Sequence, residues 1–86
     1  MSLDDDERKL ARLQWQCRRG MRELDVLLRD YLDECYPELD DKKRGEFERL
    51  LTSADQELLE WLMGRAEPMD GELQGVVKQI RSHAQR

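Results

Sequence analysis

The sequence predicts an all-α fold, a compact five-helix bundle in a single domain, from three observations. Apolar residues recur at three- and four-residue spacing in successive segments. β-branched residues are few, and no stretch sustains the alternation of a half-buried strand. The breaks between segments are brief, which favours antiparallel neighbours. No Ser/Gly-rich linker or internal repeat divides the chain, so residues 1–86 read as one domain, with fraying expected at 1–4 and 82–86.

The first helix is predicted from about Asp5 to Cys17, because Asp4, Asp5, Asp6 and Glu7 crowd a start where the helix dipole favours negative charge. Leu3, Leu10, Leu13 and Cys17 share one stripe, with Ala11 and Trp15 on another flank. Trp15 therefore packs against a neighbouring helix or faces a partner, and spacing leaves both open. Arg18-Arg19-Gly20 interrupts the pattern, Gly20 supplying a conformation that a Cβ would resist. The second helix, about Met21 to Cys35, carries Leu24, Leu27, Leu28, Tyr31, Leu32 and Cys35 inward. Pro37 ends it and pushes Tyr36 out of the α region.

Leu39 before the cap residue Asp40 opens a third helix, about Asp41 to Leu51, with Phe47, Leu50 and Leu51 inward. Gly45 sits mid-helix at a cost near ~1 kcal/mol relative to Ala, and with Lys42-Lys43 it puts that helix's regularity in question. Thr52-Ser53-Ala54 is a short break, or a kink in one continuous helix. Asp55 then caps a fourth helix carrying Leu58, Leu59, Trp61, Leu62 and Met63, which Gly64 stops. After Pro68, Asp70 caps a final helix with Leu73, Val76, Val77 and Ile80 in one stripe.

Composition excludes several function classes. An 86-residue chain with 38% hydrophobic residues builds one thin core, which disfavours an enzyme with an enclosed cavity. Its apolar runs, such as Val26-Leu27-Leu28, fall far short of the ~20 residues of a membrane span. No apolar leader follows Met1, so a cytoplasmic location without membrane insertion is expected. Twenty acidic residues against 15 basic give a net charge of -5, the wrong sign for a nucleic-acid partner. Cys17 and Cys35 form no CxxC and read as small apolar residues in a reducing compartment.

Motifs for chemistry are missing: no Gly-rich phosphate loop, no GxSxG and no HExxH. The sole histidine, His83, lies near the terminus and is expected in solvent, which leaves no base for a nucleophile. The carboxylate runs are explained by caps and outer helix faces, so neither a catalytic residue nor a metal site is predicted.

One segment breaks the pattern. Between Glu7 and Glu23 no acidic residue occurs, while Arg8, Lys9, Arg12, Arg18, Arg19 and Arg22 accumulate. Three of those arginines flank Gly20 at a helix start, where the dipole disfavours cations. Exposed amides and guanidinium forks there suit an anionic group of a partner or ligand, with Met21 as an adaptable apolar contact. Glu23 either reaches back to cap the turn or presents its carboxylate outward. A plain helix-start motif with surface arginines accounts for the residues as well as a binding function does.

Arg19-Gly20-Met21-Arg22-Glu23-Leu24-Asp25 resembles the RGMRELD signature, with its RGxxE kernel, of the SdhE-type succinate dehydrogenase flavinylation factors. Trp15 and Cys17 before it, Phe47 to Leu51 and Leu58 to Met63 after it extend the likeness over nearly the whole chain. The resemblance implies a five-helix cytosolic FAD assembly factor, a chaperone and not an enzyme. Its partner would be the flavoprotein subunit of succinate dehydrogenase, and in some bacteria that of fumarate reductase. It would promote attachment of FAD to a histidine of that subunit, the bond-forming chemistry belonging to the flavoprotein.

On this reading Arg19, Gly20, Met21, Arg22, Glu23 and Asp25 form the partner-binding motif, and Arg8, Arg12, Trp15 and Arg18 a possible extension. Arg19 and Arg22 would grip the partner, Gly20 would allow close backbone approach, and Glu23 would orient a partner group. FAD belongs to the partner; direct binding is the weaker reading, because the chain lacks a dinucleotide fingerprint. The free chain is expected to be a monomer. An antitoxin-like regulatory module, a label that similar proteins have carried, is the alternative.

Overall fold

The computed structural model describes residues 3–84, with side chains from Glu7 onward. The described residues form five α-helices: α1 Leu3–Gln16, α2 Arg22–Glu34, α3 Asp41–Leu50, α4 Asp55–Leu62 and α5 Gly71–Ala84. A 3-10 turn, Tyr36–Glu38, links α2 to α3. The described residues include no strand. Their radius of gyration, 12.5 Å, lies close to the ~12 Å of a globular chain this long.

Helices α2, α3 and α5 carry most of the core, where Leu24, Leu28, Leu32, Phe47, Leu50, Val77 and Ile80 are almost wholly buried. Phe47 is its centre, packing at tilted angles against Tyr31 (5.3 Å) and Tyr36 (5.7 Å). Such tilted pairs set ring edges against ring faces and add to the area buried. The Tyr36 hydroxyl donates to Glu48 (2.6 Å), which satisfies the polar end of a buried ring. Helix α4 brings Leu58 and Leu62 against α2 and α5.

The ends of the elements follow local chemistry. Asp40 caps α3, accepting from the Lys43 N–H, and Asp70 accepts from the Glu72 and Leu73 N–H groups at the start of α5. Gly64 closes α4 with φ +78°: its N–H bonds the Trp61 carbonyl and the Arg65 N–H bonds the Glu60 carbonyl. That pair of bonds is the Schellman arrangement, which wants a residue without a Cβ. Helix α3 runs unbroken through Gly45, and Thr52-Ser53-Ala54 separates it from α4, so the two are not one kinked helix.

Four expectations are corrected. Leu10, placed on the inward stripe, is 40% exposed, because α1 reaches the core only near its C-terminal end, through Leu13 and Cys17. Tyr36 does not leave the helical region; it opens the 3-10 turn, whose carbonyls at Tyr36 and Pro37 are held by Arg44. Asp55 does not cap α4: it is the first helical residue after the cap position Ala54, which makes no side-chain cap bond, and its carboxylate accepts from Arg19 instead. Residues 1–2 and 85–86 lie outside the described residues. Finally, His83 is not a solvated residue: its side chain is only 13% exposed, edge-on to Tyr31 and beside Cys35 and Glu34. Those contacts hold the last turn of α5 in place.

Two glycines predict opposite responses to alanine. Gly45→Ala fills open space on a helix and is expected to stabilise by ~0.5–1 kcal/mol, raising the melting temperature by about 4 °C. Gly64→Ala forces a Cβ onto a left-handed residue and to 2.8 Å from the Arg81 guanidinium, lowering it by at least as much. Thermal unfolding by circular dichroism measures both, and equal signs would contradict this account.

Candidate functional site

Helix α1 gives way to α2 through residues 17–21. The Cys17 and Arg18 N–H groups bond the Leu13 and Trp15 carbonyls and finish α1. Gly20 then takes φ +79°, and extended Met21 is the cap residue of α2 without a side-chain cap bond. A different bond ties the loop to the helix: the Asp25 carboxylate accepts from the Arg19 N–H at 2.6 Å. Asp25 thereby folds the loop against the first turn, where negative charge suits the dipole.

Arg19 is the long-range part of this arrangement. Its guanidinium donates to the Leu51 carbonyl, to the Ser53 carbonyl (3.3 Å) and to the Asp55 carboxylate (3.2 Å). Leu51 is the C-terminal cap residue of α3, at the end of a helix that leaves carbonyls unpaired and carries partial negative charge. The five-donor fork of an arginine meets several such acceptors at once, which a lysine ammonium cannot reproduce. The side chain is 15% exposed, and its buried Nε has no acceptor among the described residues. Arg19 therefore ties the loop to the α3–α4 break and does not project as a grip. Its place at a helix start, unfavourable for α2, is explained by the C-terminus of α3.

The rest of the segment faces outward. Gly20, Arg22 and Glu23 are exposed and Met21 is half-buried. Among the described residues no hydrogen bond or ion pair engages the Arg22 guanidinium or the Glu23 carboxylate, so Glu23 presents outward. Trp15 is 70% exposed with the Arg18 guanidinium 6.0 Å from its ring centre, which settles its orientation away from the core. Arg8 and Arg12 are exposed on α1.

Two shallow grooves flank this ridge. One, lined by Ala11, Gln14, Trp15, Arg18, Arg29 and Asp33, runs between α1 and α2. The other is mainly apolar, lined by Arg22, Glu23, Val26, Leu27 and Met63. Val26, 49% exposed, and Met63 were not singled out from the sequence as site residues. The available signal was Val26, an apolar residue off the buried stripe of α2.

The profile of the family described as "Flavinator of succinate dehydrogenase" matches residues 11–84. The chain belongs to this flavinator family. It is 45% identical to the FAD assembly factor SdhE of Pseudomonas aeruginosa over 80 residues, 93% of this chain and 95% of that protein. It is 53% identical to the SdhE of Colwellia psychrerythraea over 70 residues, covering 81% and 77% of the two chains. With the SdhE of Yersinia pestis it shares 46% over 72 residues, 84% and 82% of each. The flavinator match begins at Ala11 and so contains the entire Arg19 tie and the lining of both grooves, while the first turns of α1 fall outside it.

Arg19→Lys keeps the charge and loses the fork. It is expected to cost ~1–3 kcal/mol, a large part of the ~3–5 kcal/mol that a core of this size supplies. Urea unfolding followed by tryptophan fluorescence measures it; a midpoint equal to that of the wild type would show that the tie carries no stability.

Proposed function

We propose that this chain is an FAD assembly factor that binds the flavoprotein subunit of succinate dehydrogenase and promotes covalent attachment of FAD to it. Membership of the flavinator family supports the role, and one observation supports the outward ridge as its seat. Gly20, Met21, Arg22 and Glu23 form an outward ridge whose backbone is fixed by Arg19 and Asp25. A surface held this way loses little entropy on docking.

Each residue has a distinct task. Gly20 lets the partner backbone approach, since no side chain stands there. Arg22 offers a planar donor fork to a partner carboxylate or carbonyl, and Glu23 accepts from a partner donor or orients a histidine. Met21, Val26, Leu27 and Met63 supply adaptable apolar contact beside them. Arg8, Arg12, Trp15 and Arg18 extend the same surface along α1. Arg19 and Asp25 act as positioning residues beneath it.

The chain's contribution is positional. FAD is held by the partner, whose histidine and flavin form the bond, and this chain selects the arrangement in which they are aligned. It works as a chaperone and not as a catalyst. The flavoprotein subunit of fumarate reductase offers the same chemistry and is a second client. The factor acts in the cytoplasm as a monomer; no described helix is long and apolar enough to cross a membrane.

Glu23→Ala and Arg22→Ala touch exposed side chains, so their melting temperatures are expected within about 3 °C of wild type. Each is expected to weaken binding to the purified flavoprotein subunit about tenfold, ~1.4 kcal/mol, and to lower its covalent flavin in co-expression. Titration calorimetry and flavin fluorescence in a denaturing gel measure the two effects. Undiminished binding and flavin in both variants would remove this ridge from the function.

A further inference from the structure

At the other end of α2, about 20 Å from the ridge by helix rise, three side chains converge that flavin assembly does not use. Cys35 Sγ lies 3.4 Å from His83 Nδ1, and His83 Nε2 lies 3.2 Å from the Glu34 carboxylate. Cys35 and Glu34 sit at the end of α2, and His83 arrives from the last turn of α5, 48 residues away. Neutral imidazole has one donor and one acceptor. With Nε2–H donated to Glu34, Nδ1 is left as an acceptor facing the thiol. The edge of Tyr31 fixes the ring plane.

We infer that Cys35 is a thiol-modification site in which His83 takes the proton, Glu34 orients His83, and the co-reactant is a small cationic disulfide. The arrangement is that of an activated nucleophile: thiol, adjacent base and a group that orients the base. Cys35 is half-buried and lines an open cleft with Glu34, Glu38, Gln79, Ser82 and His83, so a small reagent reaches the sulfur. The charged groups of that cleft are acidic, and Asp30 lies on the opposite side of His83. They attract a cation and repel an anionic disulfide.

The exchange is balanced. The Cys35 S–H gives its proton to His83 Nδ1, and the thiolate attacks one sulfur of R–S–S–R. The reagent's S–S bond breaks as Cys35–S–S–R forms, and the departing thiolate takes the proton from the imidazolium and leaves as RSH. Cys35 is oxidised and half of the reagent is reduced. Cys17 is the internal control: it is 1% exposed, and burial pushes its thiol up to about 11, leaving little thiolate at neutral pH.

The test treats the folded full-length chain with cystamine and, separately, with glutathione disulfide, and locates adducts by peptide mass spectrometry. Cystamine is expected to add once, at Cys35, at least about tenfold faster than glutathione disulfide at low ionic strength, with the gap narrowing in salt. His83→Phe keeps a ring beside Tyr31, and His83→Gln keeps a polar group; both are expected to slow labelling at least about tenfold. Glu34→Gln leaves the imidazole in place and should slow labelling by a smaller factor. Labelling of Cys17 as fast as Cys35, equal rates with the two disulfides, or an undiminished rate in either His83 variant that folds would overturn the assignment. None of these readouts involves the flavoprotein, so failure here leaves the proposed assembly role untouched.

Discussion

The donor fork of Arg19 joins the loop before α2 to the break after α3, and the arrangement of the candidate site rests on that joint. The loop itself has no cap from Met21 and contains a left-handed glycine. Left alone, such a segment would sample many conformations. Two attachments remove that freedom: Asp25 holds the Arg19 N–H from the α2 side, and the α3–α4 break holds its guanidinium. The same contact pairs carbonyls at the end of α3 that would otherwise be left over. One side chain thus completes a helix terminus and fixes the surface next to it.

The fixing of that surface bears on the proposal that an acidic protein meets its partner through a basic stretch. The total charge is -5, yet the segment from Arg8 to Arg22 carries no carboxylate. Of its arginines only Arg19 turns inward, while Arg8, Arg12, Arg18 and Arg22 are exposed. On the proposed reading a partner would meet cations, an outward carboxylate and an apolar groove within a short span. Such mixed polarity suits specific recognition more than general anion binding.

How far the sequence revealed this depends on the range of each interaction. The helices and most core residues were legible because they follow from spacing within a few residues: Leu24, Leu28, Tyr31 and Leu32 repeat at helical intervals. The caps at Asp40 and Asp70 and the stop at Gly64 were legible for the same reason. The direction of Arg19 was not, because its acceptors lie 32 to 36 residues away and two of them are backbone carbonyls, which no residue type advertises. His83 was misjudged likewise, since its neighbours Glu34 and Cys35 lie on another helix. Leu10 was drawn inward by the stripe rule, which does not know that α1 overhangs the body. The motif itself was legible as an anomaly of charge before its geometry was known.

The claim at the centre of this account is that the chain acts on another protein's flavin. The most direct measurement is co-expression of the succinate dehydrogenase flavoprotein subunit with and without this chain, reading flavin fluorescence in a denaturing gel. A fluorescent subunit band that depends on the chain is the predicted result. A band of equal strength in its absence would contradict the account.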